Sequence, residues 1–155
     1  MLQHFMEEEI SPLFSSKTRP QLYYMGKVLP EISSYPRIMH SHAGHVEISI
    51  IYSGTSRYLI GDRRQLIQPG DIIIYNSGVV HDELSSEDAQ IGNYFFAVGN
   101  LEVPQLRPNA LIADDVNPVF HIHEGFDSIK ALCETMLTHF EHPSVWSPHI
   151  VHYET

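Results

Sequence analysis

The sequence predicts an antiparallel all-β barrel or sandwich with helices at its C-terminal end. Three observations predict it. Short strand-like runs broken by turn residues fill Gln21 to Val98. The apolar spacing switches to a helical period after Gly125. The length, 155 residues, suits one compact domain with a core of its own.

Taken in order, residues 1–20 read as an arm or irregular edge: Glu7, Glu8 and Glu9 are followed by Ser-Pro, then Ser15, Ser16, Lys17 and Pro20. The β runs are LYYMGKVL, RIMHSH, HVEISIIY, SRYLI, RQLI, DIIIY and IGNYFFAV, separated by Ser-Gly, Gly-Asp, Pro-Gly and Asn-Ser-Gly turns. They define a barrel over residues 21–124. From residue 125 to 155 the pattern is helical. Phe126, Ile129, Leu132, Cys133, Met136, Leu137 and Phe140 form one apolar stripe, which predicts a helix over Phe126 to Glu141 ended by Pro143. Ser147-Pro148 reads as an N-cap and first helical position, with Ile150, Val151 and Tyr153 opening a second stripe. That helix is expected to be cut short, with further chain beyond it.

Composition narrows the function. Nine Lys and Arg against nineteen Asp and Glu give a formal net charge of -10, the wrong sign for a nucleic-acid surface. The single cysteine, Cys133, excludes an intramolecular disulfide and a CxxC metal site and reads as inert core. No signal peptide or membrane-length apolar run is present, so the expected setting is cytoplasmic.

The chemistry concentrates in RIMHSHAGHVEISIIYSG, Arg37 to Gly54. His40 and His42 are two apart on a strand-like run and project to one side. Ala43-Gly44 bends the chain, and Glu47 follows in the next run. The stretch PGDIIIYNSGVVH, Pro69 to His81, makes a turn, a strand and a loop ending in another histidine. His40, His42, Glu47 and His81 thus form an N3O set suited to Zn, Ni, Fe, Mn or Co, or else a polar pocket for an organic ligand. His45 competes with His42 for the second position, because His45 and Glu47 are also two apart. His45, Glu47 and Ser49 share one face of HVEISIIY, making His45 and Ser49 candidate ligand contacts. Of the alternating pairs Tyr94/Phe96 and Asn93/Phe95, either is able to line the cavity, and Tyr94 is the candidate contact.

These residues carry a resemblance. H40-x-H42-x4-E47-x6-G54 resembles the first cupin motif, and P69-G70-D71 ending in His81 the second. Ser34, Ser85 and the position of Gly61 depart from the metalloenzyme form. The layout is similar to the N-terminal effector-binding domain of AraC-type transcription regulators. The resemblance implies a cupin double-stranded β-helix preceded by an arm. It also implies a small-molecule effector such as a sugar, a helical pair that makes a homodimer, and a separate C-terminal DNA-binding domain. A stand-alone metal-dependent cupin enzyme, a dioxygenase or isomerase, is the alternative.

Overall fold

The computed structural model describes residues 19–32, 38–84 and 90–154. Apart from its last two residues, the arm expected over 1–20 lies outside them, as do Ser34 and Ser85. In chain order come β1 (Gln21–Val28), a 3-10 turn (Pro30–Ile32), β2 (His45–Ser53), β3 (Ser56–Ile60), β4 (Arg63–Ile67), β5 (Asp71–Tyr75), β6 (His81–Leu84), β7 (Gly92–Gly99), β8 (Val119–His121), α1 (Phe126–Glu141) and α2 (Ser147–Glu154). The strands form a five-stranded sheet, β1-β7-β2-β5-β8, and a three-stranded sheet, β4-β3-β6. Every pairing among them is antiparallel. The predicted class, mostly antiparallel β with C-terminal helices, is the one observed.

Period-two alternation decides what each strand gives to the interior. Ile51 and Ile73 of the large sheet meet Tyr58, Ile60 and Ile67 of the small one, so this is the space between the sheets. Glu47 and Ser49 stand on the same face of β2 as Ile51 and are buried with it. The opposite face carries Ile48 and Ile50, which pack outward with Tyr94 against Cys133, Phe126, Ile129 and Leu137 of α1. The second outer cluster, Val46, Val98 and Leu101, sits with Leu111 beneath the 100–111 loop. Both faces of β2 are therefore covered, so its polar Glu47 and Ser49 are buried along with its apolar residues.

α1 spans the predicted residues. The His142 N–H bonds the Thr138 carbonyl one residue before the proline stop. α2 starts differently from expectation. Ser147 opens the helix but does not cap it forward, since its buried hydroxyl accepts the Ser144 N–H at 2.8 Å. The Pro-Gly turn before β5 needs its glycine. Gly70 has φ +96°, and a Cβ there would meet the His121 ring at 2.9 Å.

Candidate metal and ligand site

The site forms where the segment before β2 pairs with the start of β6. His40 and His81 exchange both backbone hydrogen bonds, His40 N–H to His81 O at 3.0 Å and His81 N–H to His40 O at 2.8 Å. The Gly78 N–H donates to the His42 carbonyl at 2.7 Å. This antiparallel bridge sets the His40 and His81 rings 4.3 Å apart, with the His42 ring 4.8 Å from His40 and 5.3 Å from His81. One ring nitrogen of each of the three lies within 4.8 Å of those of the others. Tyr75 stacks on His81 at 4.0 Å and fixes the plane of that ring.

Hydrogen bonds set the tautomers. His40 Nδ1–H donates to the Ile38 carbonyl at 2.8 Å, and His81 Nδ1–H to the Val79 carbonyl at 3.0 Å. Both rings bond the carbonyl two residues upstream, which leaves Nε2 as a bare lone pair. The Nε2 atoms of His42 and His81 are buried without a hydrogen-bond partner. His42 Nε2 lies 3.2 Å from Glu47 Oε2, but not in hydrogen-bonding orientation. Burial holds the His81 ring neutral, its pKa lowered to about 4 against the pull of the Val79 carbonyl. Burial also lowers His42, aided by His40 and His45 and opposed by Glu47.

Two buried imidazole nitrogens without a hydrogen-bond partner, on His42 and His81, converging with a third on half-buried His40, are a donor set a borderline divalent cation takes. The residues therefore fit a metal, with His40, His42 and His81 as the nitrogen donors. Glu47 falls outside the triad's 4.8 Å circle. It stands beside His42 and accepts the Tyr24 hydroxyl at 2.6 Å. Between the two candidates for the second position, the geometry groups His42 with the triad. His45 sits next to it, rings 4.8 Å apart, with its Nε2 3.3 Å from the Tyr24 hydroxyl. Ser49 faces the interior, where its hydroxyl accepts the Asn93 amide at 2.8 Å.

Tyr94 is a correction. It lies on the outer face of β7, packed in the α1 cluster with its hydroxyl donated to Glu134. The alternation of β7 turns Asn93, Phe95 and Ala97 inward instead, so Asn93 and Phe95 are the pair that faces the interior between the sheets. Composition did not separate the two pairs; the register against β2 does, because Asn93 pairs with inward-facing Ile51. Tyr24 was missed altogether. Its only signal was its place in an alternating run, LYYMGKVL, with nothing in the sequence to connect it to Glu47. His121 and His123, which show no ligand spacing, prove adjacent, and His121 Nδ1–H donates to the buried Asp71 carboxylate at 2.7 Å. That contact ties β8 to β5 and lies apart from the triad.

The family model for the AraC-like ligand binding domain matches residues 32–106. This segment is an AraC-like ligand-binding domain. The match contains all three triad histidines, Glu47, both motif segments and β2 through β7. A comparison with curated proteins found no match. Among solved structures, a cupin protein from Bacteroides fragilis is 14% identical with TM-score 0.41, covering 75% of this chain and 99% of that one. YhaK from Escherichia coli is 16% identical with TM-score 0.46, covering 76% of this chain and 51% of that one. A cupin 2 conserved barrel domain protein from Rhodopseudomonas palustris is 19% identical with TM-score 0.37, covering 71% and 77%. At such scores these likenesses carry no weight for function. No helix among the described residues of the AraC-like domain's chain is long and apolar enough to cross a membrane.

Proposed function

We propose that this chain is the effector-binding and dimerisation part of an AraC-type transcriptional regulator, with a divalent cation held by His40, His42 and His81 as part of its small-molecule pocket. The observation that carries the reading is the pair of buried, unpartnered Nε2 atoms inside a matched ligand-binding domain. Buried polar atoms left without a partner are costly, and a bound group removes the cost. The cation supplies a Lewis-acidic centre for an oxygen donor. The protein's own residues do the rest. Tyr75 orients His81, the Ile38 and Val79 carbonyls fix two tautomers, and Asn93, Ser49 and His45 offer hydrogen bonds to a polar ligand.

The outer face of the same strands bears α1, so a ligand bound between the sheets acts on β2 and β7, the strands on which α1 rests. Effector control requires that the ligand prefer one of two arrangements. Self-association through the helices is supported by apolar residues left uncovered there: Leu132, Phe140, Val145 and Trp146. DNA contact belongs to a separate domain, because a charge of -10 repels phosphate. Such a regulator works in the cytoplasm, where its DNA is.

The decisive experiment combines metal analysis with ligand screening. The purified chain, dialysed against Zn, Ni, Fe or Mn, should retain about one equivalent by elemental analysis. His81→Ala should abolish retention. Thermal-shift screening of sugars, aromatic acids and amines, with and without chelator, should then find a stabilising class. Retention of no metal and no stabilising ligand would refute the reading. The His triad also supports a second reading, a metal-dependent cupin enzyme. Turnover of a stabilising ligand by the metal-loaded chain would favour it, and stoichiometric binding without turnover favours the sensor.

A further inference from the structure

Tyr24 and Glu47 stand in one cross-strand row. Tyr24 pairs with Ala97 across β1 and β7, and Ala97 pairs with Glu47 across β7 and β2. Only the buried methyl group of Ala97 lies between them. A small central residue lets the phenol reach across a whole strand, and its hydroxyl meets Glu47 Oε2 at 2.6 Å. Tyr24 has one proton to give. Since that proton goes to the carboxylate, His45 Nε2–H donates to the phenol oxygen at 3.3 Å. The chain His45 → Tyr24 → Glu47 therefore has a fixed direction.

The carboxylate so held is half in place as a ligand. Its Oε2 is 3.2 Å from His42 Nε2. Two donors that each sit about 2.0–2.2 Å from one cation are separated by roughly that much. Yet Glu47 stays outside the circle that the three histidines share.

We propose that the Tyr24 hydroxyl holds Glu47 out of the inner coordination sphere of a cation on His40, His42 and His81, leaving a position open for an oxygen donor of the ligand. The inference rests on the cation reading above. Three neutral imidazoles leave the cation's charge unneutralised, so a hydroxyl or carboxylate oxygen is the donor class that position takes. Tyr24 is thus a positioning residue. It sets whether Glu47 competes with the ligand or gives way to it.

The test is Co2+ binding, followed by its visible spectrum, in the wild-type chain and in Tyr24→Phe, Glu47→Gln and the double variant. Freed of its donor, Glu47 should join the cation. Tyr24→Phe should then bind Co2+ about tenfold more tightly, with a changed spectrum, the size typical of outer-shell substitutions at metal sites. Glu47→Gln should cost about tenfold more in the Tyr24→Phe background than beside Tyr24, a coupling the four proteins measure directly. Urea melts of the cation-free proteins check folding. Equal Co2+ affinity and spectrum in wild type and Tyr24→Phe overturn the proposal while leaving the cation reading intact. Failure of every variant, wild type included, to bind Co2+ overturns both. If Tyr24→Phe does not fold, Glu47→Gln alone decides. A wild-type spectrum changed by it would mean that Glu47 already ligates, against the proposal, and an unchanged spectrum supports it.

Discussion

Lowering the pH should destabilise the cation-free protein through His81 more than through any exposed histidine. The ring is 3% exposed, its Nδ1–H is committed to Val79, and its Nε2 has no partner to welcome a proton. Its folded pKa of about 4 lies below the ordinary 6.5. The unfolded chain therefore binds more protons in this window, and stability falls as pH falls. The contribution is intact above pH 6.5, declines below it, and is exhausted near pH 4. At about 1.4 kcal/mol per pH unit, the loss reaches about 2 kcal/mol at pH 5 and about 3 kcal/mol when complete. The assay is urea unfolding at pH 7.5 and at pH 5, in chelator, for wild type and His81→Gln. Whatever the variant costs at neutral pH, its further loss on acidification should be smaller than wild type's by about 2 kcal/mol. Equal losses in the two proteins would refute the account, because the acid sensitivity would then lie elsewhere. A saturating divalent cation should sharpen the dependence, since protons and metal compete for Nε2.

Three further outcomes are expected. Gly54→Ala should cost about 2 kcal/mol or more and lower Tm by roughly 4–8 °C by calorimetry; Gly54 has φ +78°, and a Cβ would run into the Gln90 backbone. Tyr94→Phe should lower stability in urea by about 1 kcal/mol through the lost Glu134 bond while leaving Co2+ affinity unchanged; a lost cation site would contradict the outward assignment of Tyr94. Charged replacements at the uncovered helical positions, Leu132→Glu with Phe140→Glu, should weaken self-association in sedimentation without unfolding the barrel, and an unchanged dimer would move the interface elsewhere.

Much of the barrel was legible because strands and turns are local. Six of the seven runs from Gln21 to Val98 form strands at the expected places, while RIMHSH contributes only the isolated bridge at His40. The α1 stripe was equally plain, because Phe126, Ile129, Cys133 and Leu137 meet one surface at helical spacing. The partition of that stripe was not. Most of it is spent on the barrel, and only Leu132 and Phe140 remain half uncovered, a division set by where the helix docks.

The site divides along the same line. Motif spacing alone identified His40, His42, Glu47 and His81 as the residues to watch, since period two sets which side chains of a segment share a side. Spacing favoured His42 over His45 but left room for a one-residue bend that would exchange them. That choice came from the backbone bridge between His40 and His81, a pairing of residues 41 apart in sequence. Spacing could not turn Tyr94 outward, because a strand's alternation names two faces without saying which is inside; register against β2 and the docking of α1 supplied the answer. Tyr24 was least legible of all. Its relation to Glu47 passes through Ala97 on a third strand, and contacts made across a sheet exist only once the sheet's strand order does.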